Sequence, residues 1–178
     1  MVYMFLADGF EEVEAMAPLD LLRRGGVEVQ TVGVTGEYVT GSHNITIKAD
    51  ILPEAVEYEK LDCVILPGGL PGTTNLEKDD RVQSAIDYAN ENNKLICAIC
   101  AAPSILGNKG LLSGKEATCY PGFEESFSGG TYVKKSVVKS DNIITSNGMG
   151  SAYNFGFEIL ASLKDAQTAE KIREQIQS

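Results

Sequence analysis

The chain has 178 residues, of which 43% are hydrophobic and 22% charged, and its formal net charge is −10 at pH 7. This length and composition are typical of a soluble globular protein, so we expect one domain over residues 1–178 with a sizeable core. The negative charge, with no basic run longer than two residues, excludes the phosphate backbone of a nucleic acid as a partner.

The sequence shows neither a secretory leader nor a membrane-spanning run. Its first apolar segment, Val2–Ala7, is far shorter than a spanning helix and lacks a basic leader. We therefore expect a cytoplasmic protein without membrane association, whose four cysteines are reduced thiols. One histidine and no cysteine cluster of tetrahedral spacing also predict that no metal is bound.

The first half of the chain alternates between strand and helix patterns. Apolar runs predict strands at Met1–Ala7, Glu28–Val34 and Asp62–Leu66, with a short hairpin around Gly41 before the third. A helix is predicted from Glu11 to Gly25, because the positions that would share one helix face recur every three or four residues. These positions are Val13, Met16, Ala17, Asp20, Leu21 and Arg24.

The second half continues the alternation. Asp79 is the predicted N-cap of a helix whose apolar face carries Val82, Ala85, Ile86 and Ala89. Further strands are predicted at Leu95–Ile99, Glu116–Cys119, Tyr132–Lys139 and Ile143–Ser146. Helices are predicted after Cys100 as far as about Asn108, after Ser151 and after Asp165. This order predicts an α/β fold, a three-layer sandwich with a mostly parallel sheet and helices on both faces.

Cys100 stands where a buried strand passes directly into a helix. A side chain at such a corner is pushed out beyond the end of the sheet, as in a nucleophile elbow. The helix that follows directs free N–H groups at the thiol, so we expect an apparent pKa well below the usual value of about 8.5. Cys97 precedes it in a CxxC pattern. A strand would place the two Cα atoms roughly 10 Å apart with side chains on opposite faces, which excludes a disulfide.

Two other strand ends carry residues that suit a site beside Cys100. Glu14, near the start of the first helix, borders the predicted apolar face, and burial would raise its pKa and keep it protonated. Gly68 and Gly69 follow the third strand and leave their N–H groups free to approach an oxyanion. In a parallel sheet these strand ends meet at one edge.

His43 and Tyr120 are further candidates for the pocket. A Cys-His hydrolase would have to use His43, the one histidine, although its polar stretch is more typical of a solvated side chain. Tyr120 follows a predicted strand and either packs or offers its hydroxyl to the site.

Four segments together resemble the ThiJ/PfpI superfamily, most closely its Parkinson-disease deglycase and YajL branch. They are Gly9–Glu14 with Pro18-Leu19-Asp20, Leu66–Gly69, Ala98–Pro103 and Thr145–Gly148. The resemblance covers nearly the whole chain. It implies a flavodoxin-like fold related to class I glutamine amidotransferases, and commonly a homodimer.

The resemblance also implies roles for particular residues. Cys100 would be the nucleophilic and oxidisable cysteine, Glu14 the protonated carboxyl at its sulfur, and Gly69 and Ala101 the N–H donors to an oxyanion. Members of this branch are described as glutathione-independent glyoxalases, as protein deglycases that act on methylglyoxal and glyoxal adducts, and as oxidative-stress sensors or chaperones.

Three residues differ from the family pattern and limit the activities that we expect. Ala101 stands where many PfpI-type peptidases have histidine, which argues against peptidase activity. Tyr120 and His43 replace a histidine and an arginine of the deglycase branch. We therefore expect a cofactor-free glyoxalase or deglycase acting on small 2-oxoaldehydes or their protein adducts. The alternatives are a redox sensor or chaperone that uses oxidation of Cys100 and, third, an amidotransferase-like hydrolase.

Overall fold

The computed structural model describes residues 1–178 and is built around one six-stranded sheet. The strand order is β2-β1-β5-β6-β10-β9, and all neighbours are parallel except the β10–β9 pair. The expected α/β sandwich with a mostly parallel sheet is therefore confirmed. The six strands are β1 (Val2–Leu6), β2 (Val29–Gly33), β5 (Cys63–Leu66), β6 (Leu95–Ile99), β9 (Val137–Ser140) and β10 (Ile143–Ser146).

Four short strands form two small accessory sheets. The antiparallel pair β3 (Tyr38–Thr40) and β4 (Thr46–Lys48) is the hairpin expected from the sequence. The parallel pair is β7 (Glu116–Ala117) and β8 (Thr131–Tyr132). The predicted strand Tyr132–Lys139 is thus broken in two, since its ends belong to different sheets.

Six helices cover the two faces of the main sheet. They are α1 (Glu12–Arg24), α2 (Gly72–Lys78), α3 (Asp80–Glu91), α4 (Pro103–Asn108), α5 (Ala152–Leu163) and α6 (Ala166–Gln175). The Asp79 side chain caps α3 by accepting from two backbone N–H groups, and Asp165 caps α6 in the same way through Thr168. Helix α2 was not predicted. None of the helices combines the length and apolar character that a bilayer-spanning helix needs.

The core consists of two hydrophobic clusters separated by the sheet. One lies against α1, α5 and α6, and the other against α2, α3 and α4. The strands β1, β5 and β6 contribute to both clusters because alternate side chains point to opposite faces. Burial on both faces explains why these strands read as continuous apolar runs.

The buried face of α1 differs from the predicted one. Val13 is 39% exposed, and Asp20 and Arg24 form an ion pair on the surface. The buried positions instead include two acidic residues, Glu12 and Glu14. Ala17 and Leu21 are buried as predicted. The prediction was wrong for Val13, Asp20 and Arg24 because it followed helical spacing alone, whereas the buried carboxylates find hydrogen-bond partners in neighbouring loops.

In the order β2-β1-β5, the chain places β2 on one side of β1 and then β5 on the opposite side. In flavodoxin-like sheets, this switch point between the first strand and its later neighbour is where ligands bind, beyond the carboxyl ends of the strands. The ends of β1, β5 and β6 therefore define the region to search for a site.

Candidate active site

Cys100 lies in the turn between β6 and α4, with its backbone in the left-handed region at φ 65°. This conformation is strained for a residue with a Cβ and is typical of functional corners. Two backbone hydrogen bonds of 2.8 Å hold the turn in place, from Cys100 N–H to Ser146 O and from Tyr120 N–H to Cys100 O. The thiol is therefore held rigidly and remains half-buried at the sheet edge.

Glu14 brings a buried carboxyl group to the same place. The residue is 1% exposed, and its Oε2 accepts a 3.0 Å hydrogen bond from Gly68 N–H at the end of β5. The carboxyl group also lies beside Cys100, because both groups border the space that a Cβ on Gly68 would fill. Helix α1 is anchored at this point, because Glu11 caps it through Glu14 N–H and donates its own N–H to Gly68 O.

The backbone around the sulfur supplies hydrogen-bond donors. The backbone N–H groups of Ala101 and Gly69 favour the thiolate form of Cys100 and lower its pKa. Gly68 and Gly69 are required here by close packing. A Cβ on Gly68 would lie 2.6 Å from Glu14 Oε2 and 2.7 Å from Cys100 Cβ, and Gly69 combines φ 89° with a close approach to Glu11 N. The two N–H groups form a cradle suited to negative charge on or beside the sulfur.

Burial governs the protonation of the Glu14–Cys100 pair. It raises the pKa of Glu14 from 4.5 to about 7, opposed by hydrogen bonds from Cys100 and Gly68. Burial, followed by the charge of Glu14, raises the pKa of Cys100 to about 12, opposed by the N–H groups of Ala101 and Gly69. Because each group shifts the pKa of the other, the two titrate as a pair that holds one proton above about pH 7.

The expectation of a lowered Cys100 pKa is therefore wrong while Glu14 is ionised. The short helix α4 and the two N–H groups favour the thiolate, but burial and the adjacent carboxylate outweigh them. A thiolate forms here when its proton passes to Glu14. The environment thus makes Glu14 the natural proton acceptor for Cys100.

His43 is not hydrogen-bonded to Cys100. Its ring is 71% exposed, and Nδ1 lies 2.9 Å from Glu12 Oε2, with which it forms an ion pair when protonated. The hydrogen bond to Glu12 raises the pKa of His43. Glu12 also accepts from His43 N–H at 2.7 Å, so this pair fastens the β3–β4 turn to the start of α1.

Tyr120 lies beside the nucleophile corner. Its backbone N–H bonds to Cys100 O, and its side chain is 52% exposed. It lines a surface groove that also contains Met149.

The other three cysteines are buried in the core. Cys97 Sγ lies 3.7 Å from Cys63 Sγ on the neighbouring strand. Cys100 packs against the same hydrophobic cluster as Cys97, so the predicted opposite orientation is wrong. The strand ends at Ile99, and the left-handed turn of Cys100 redirects its side chain.

The backbone after β10 was missed as part of the site. A Cβ built on Gly148 would lie 4.0 Å from Glu14 Oε1, and the Met149 N–H lowers the Glu14 pKa. The sequence did contain a signal for this part of the site. A glycine-rich segment follows the buried strand that ends at Ser146, just as Gly68 and Gly69 follow β5.

The fold and this corner define a flavodoxin-like α/β protein with a cysteine at a strand-to-helix turn. Residues 1–162 match the model of the DJ-1/PfpI family, and the chain belongs to that family. This confirms the resemblance seen in the sequence.

Individual relatives cover almost the full chain. It is 37% identical over 172 residues to Protein dj-1beta of Drosophila melanogaster, covering 95% of this chain and 92% of the relative. It is 30% identical to Glutathione-independent glyoxalase DJR-1.2 of Caenorhabditis elegans, covering 91% and 87%. The solved structure of oxidized Toxoplasma gondii DJ-1 matches with a TM-score of 0.94 and 36% identity, covering 98% and 96%.

Proposed function

We propose that the chain is a cysteine-dependent, cofactor-free glyoxalase or deglycase that acts on small 2-oxoaldehydes such as methylglyoxal, or on their protein adducts. The observation that carries the proposal is the buried Glu14 carboxyl group beside Cys100, where both border the space that a Cβ on Gly68 would fill and where the backbone N–H groups of Gly69 and Ala101 lower the Cys100 pKa. The relative named as a glutathione-independent glyoxalase supports this reaction class.

The reaction begins when Cys100 Sγ attacks the aldehyde carbon of R–CO–CHO. Glu14 accepts the thiol proton, the C=O π bond breaks, and the oxygen becomes an oxyanion held by the N–H groups of Gly69 and Ala101. Protonation of this oxygen by Glu14 completes a hemithioacetal. A base with a pKa of about 7 is suited to this exchange at neutral pH.

Glu14 then moves a proton within the adduct. It removes the hydrogen from C1, which gives an enediol, and returns a proton to C2, which leaves a thioester of a 2-hydroxy acid. Water attacks the thioester, the C–S bond breaks, and the proton returns to sulfur. The balance is R–CO–CHO plus water to R–CH(OH)–COOH, so no oxidant or cofactor is consumed.

The first prediction concerns the nucleophile. Cys100→Ala should lower lactate formation from methylglyoxal at least a hundredfold, because no other thiol lies beside Glu14. Lactate is measured over time with purified protein. Cys63→Ala is the matched control, since it removes a buried thiol away from Glu14 and should retain activity. Equal rates for wild type and Cys100→Ala would contradict the assignment.

The alternative is a redox sensor or chaperone that uses oxidation of Cys100. The same N–H groups and a protonated Glu14 would stabilise a sulfinate, and one similar structure is an oxidized DJ-1. If sensing is the function, mild peroxide should add about 32 Da at Cys100, from two oxygen atoms. Measuring the intact mass after peroxide treatment together with methylglyoxal turnover distinguishes the enzyme from the redox sensor. Fast oxidation of Cys100 without turnover favours sensing.

The geometry gives less support to an amidotransferase-like hydrolase. Such chemistry needs an imidazole on the sulfur, and His43 bonds to Glu12 instead. We further propose that the protein is a cytoplasmic homodimer that protects against carbonyl and oxidative stress.

A further inference from the structure

A surface groove of about 470 Å³ opens beside the Cys100–Glu14 pair. It is lined by Tyr120, Pro121, Ser136 and residues 147–151. The proposed reaction needs only the end of β6, the end of β5 and Glu14. The groove is therefore additional space next to the reacting atoms.

The groove is continuous with the site. Tyr120 is joined to the nucleophile by the hydrogen bond from its N–H to Cys100 O. A Cβ built on Gly148 would lie 3.5 Å from the Tyr120 ring and 4.0 Å from Glu14 Oε1. The Glu14 carboxyl group thus borders both Cys100 and the groove.

The groove presents apolar and aromatic surface. Tyr120 and Met149 are 52% and 53% exposed, unusual for large apolar side chains in this chain. None of the lining residues is charged. Ser151 is 4% exposed, and its hydroxyl lies 2.7 Å from Asn147 Oδ1 and 2.9 Å from Gly148 O, so it faces the protein interior.

The two oxygens of Glu14 give the substrate a direction. Oε2 lies on the side of Gly68 and Cys100, and Oε1 lies on the side of Gly148. When C1 of a 2-oxoaldehyde is bonded to sulfur, C2 must also lie within reach of this carboxyl group to receive its proton. A substituent on C2 then continues past Oε1 into the groove.

We propose that Tyr120 and Met149 are specificity-determining residues that bind the C2 substituent, and that the favoured substrates are 2-oxoaldehydes with uncharged aromatic or bulky apolar substituents. The inference rests on the proposed function. An apolar cavity of about 150 Å³ holds a benzene ring, so the groove has ample room for a phenyl group. A negatively charged substituent is disfavoured, because the neighbouring α1 start carries Glu11, Glu12 and Glu14.

The test compares phenylglyoxal with methylglyoxal. In Tyr120→Ala and Met149→Ala, the ratio of kcat/KM for phenylglyoxal to kcat/KM for methylglyoxal should fall about tenfold, the discrimination typical of lost apolar contacts. Tyr120→Leu keeps bulk without the aromatic ring and should give an intermediate loss. Tyr38→Ala, which removes an exposed tyrosine from β3, is the control and should leave both substrates unchanged. Equal losses for both substrates, or none, would overturn the proposal.

A second measurement separates this inference from the proposed function. Phenacyl chloride and chloroacetone are matched α-halo ketones that alkylate a cysteine without turnover. The ratio of their rates at Cys100 should favour the phenyl reagent in wild type and fall about tenfold in Tyr120→Ala. If wild type turns over neither aldehyde but keeps this ratio, the glyoxalase proposal fails, while the assignment of the groove as the binding site for the substituent is retained. If the ratio is the same in both proteins, the groove assignment fails even where turnover is present.

Discussion

At the scale of single residues, the site depends on one shared proton. Burial disfavours the charged forms of both Glu14 and Cys100, and the charge of Glu14 raises the Cys100 pKa further, so the pair keeps a proton well above the usual range of a carboxyl group. A solvent-exposed thiol would ionise by itself. In the proposed reaction, transfer of the thiol proton to Glu14 replaces ionisation into water.

The proton shared by Glu14 and Cys100 predicts how alkylation of Cys100 depends on pH. Wild-type alkylation of Cys100 by iodoacetamide should rise with pH around the first deprotonation of the pair, at about 7. Glu14→Gln removes the proton acceptor, so the rise near pH 7 should be lost and the rate at pH 7 should fall about tenfold, equivalent to one pKa unit. Because the charge of Glu14 also raises the Cys100 pKa, the remaining rise with pH should follow ionisation of the thiol below the wild-type value of about 12. The pH dependence of alkylation in both proteins measures this.

If Cys100 in Glu14→Gln is instead alkylated faster than in wild type at pH 7, Glu14 acts mainly by repelling the thiolate, and its role as proton acceptor is contradicted. Thermal unfolding of the variant establishes that the fold is retained.

At the scale of elements, three strand ends and one helix meet within a few ångströms. Gly68 is the contact point, because its N–H binds Glu14 and its carbonyl binds Glu11 N–H. Its missing side chain leaves space for Cys100 Cβ and Glu14. The position of α1 relative to β5 and β6 is therefore part of the chemistry.

Gly68→Ala should lower kcat/KM for methylglyoxal at least tenfold, because its Cβ would displace Glu14 or Cys100 from their contact. Gly156→Ala is a matched control for overpacking. Its Cβ would lie 2.8 Å from Leu21 Cδ1 and 3.0 Å from Pro18 Cα, between α5 and α1. It should lose about 1–3 kcal/mol of stability but keep the activity of the folded protein. Similar activity losses in both variants would show a general packing effect.

At the scale of the whole molecule, two large apolar side chains are exposed near the start of α1. Val13 and Ile45 are 39% and 56% exposed. Ile45 N–H lies 3.4 Å from Glu12 Oε1, which places the β3–β4 turn against the start of α1. Exposed apolar side chains grouped on two elements are typical of interaction surfaces.

We expect this surface to form the homodimer contact. Light scattering should give about twice the monomer mass of 19.1 kDa. Val13→Asp and Ile45→Asp should reduce it to the monomer value, because a buried unpaired carboxylate is costly. Leu52→Asp, at another exposed apolar position, should remain dimeric. A monomeric wild type, or variants that stay dimeric, would exclude this interface.

The sequence by itself determined the fold class and the nucleophile corner. Buried parallel strands read as apolar runs, Asp79 and Asp165 mark helix starts, and the passage from Ile99 to Pro103 marks the strand-to-helix turn. These features depend on residues close together in the chain, so local periodicity and capping suffice to predict them. The family motifs were recognisable for the same reason.

Only the tertiary structure decided what surrounds Cys100. The buried face of α1, the shared proton with Glu14, the pairing of His43 with Glu12 and the groove at Tyr120 and Met149 all join residues far apart in sequence. Burial and long-range hydrogen bonds set the pKa values, and neither is visible in local pattern. The helix behind Cys100 predicted an acidic thiol, whereas burial, together with the charge of a carboxyl group 86 positions earlier in the chain, raises its pKa instead.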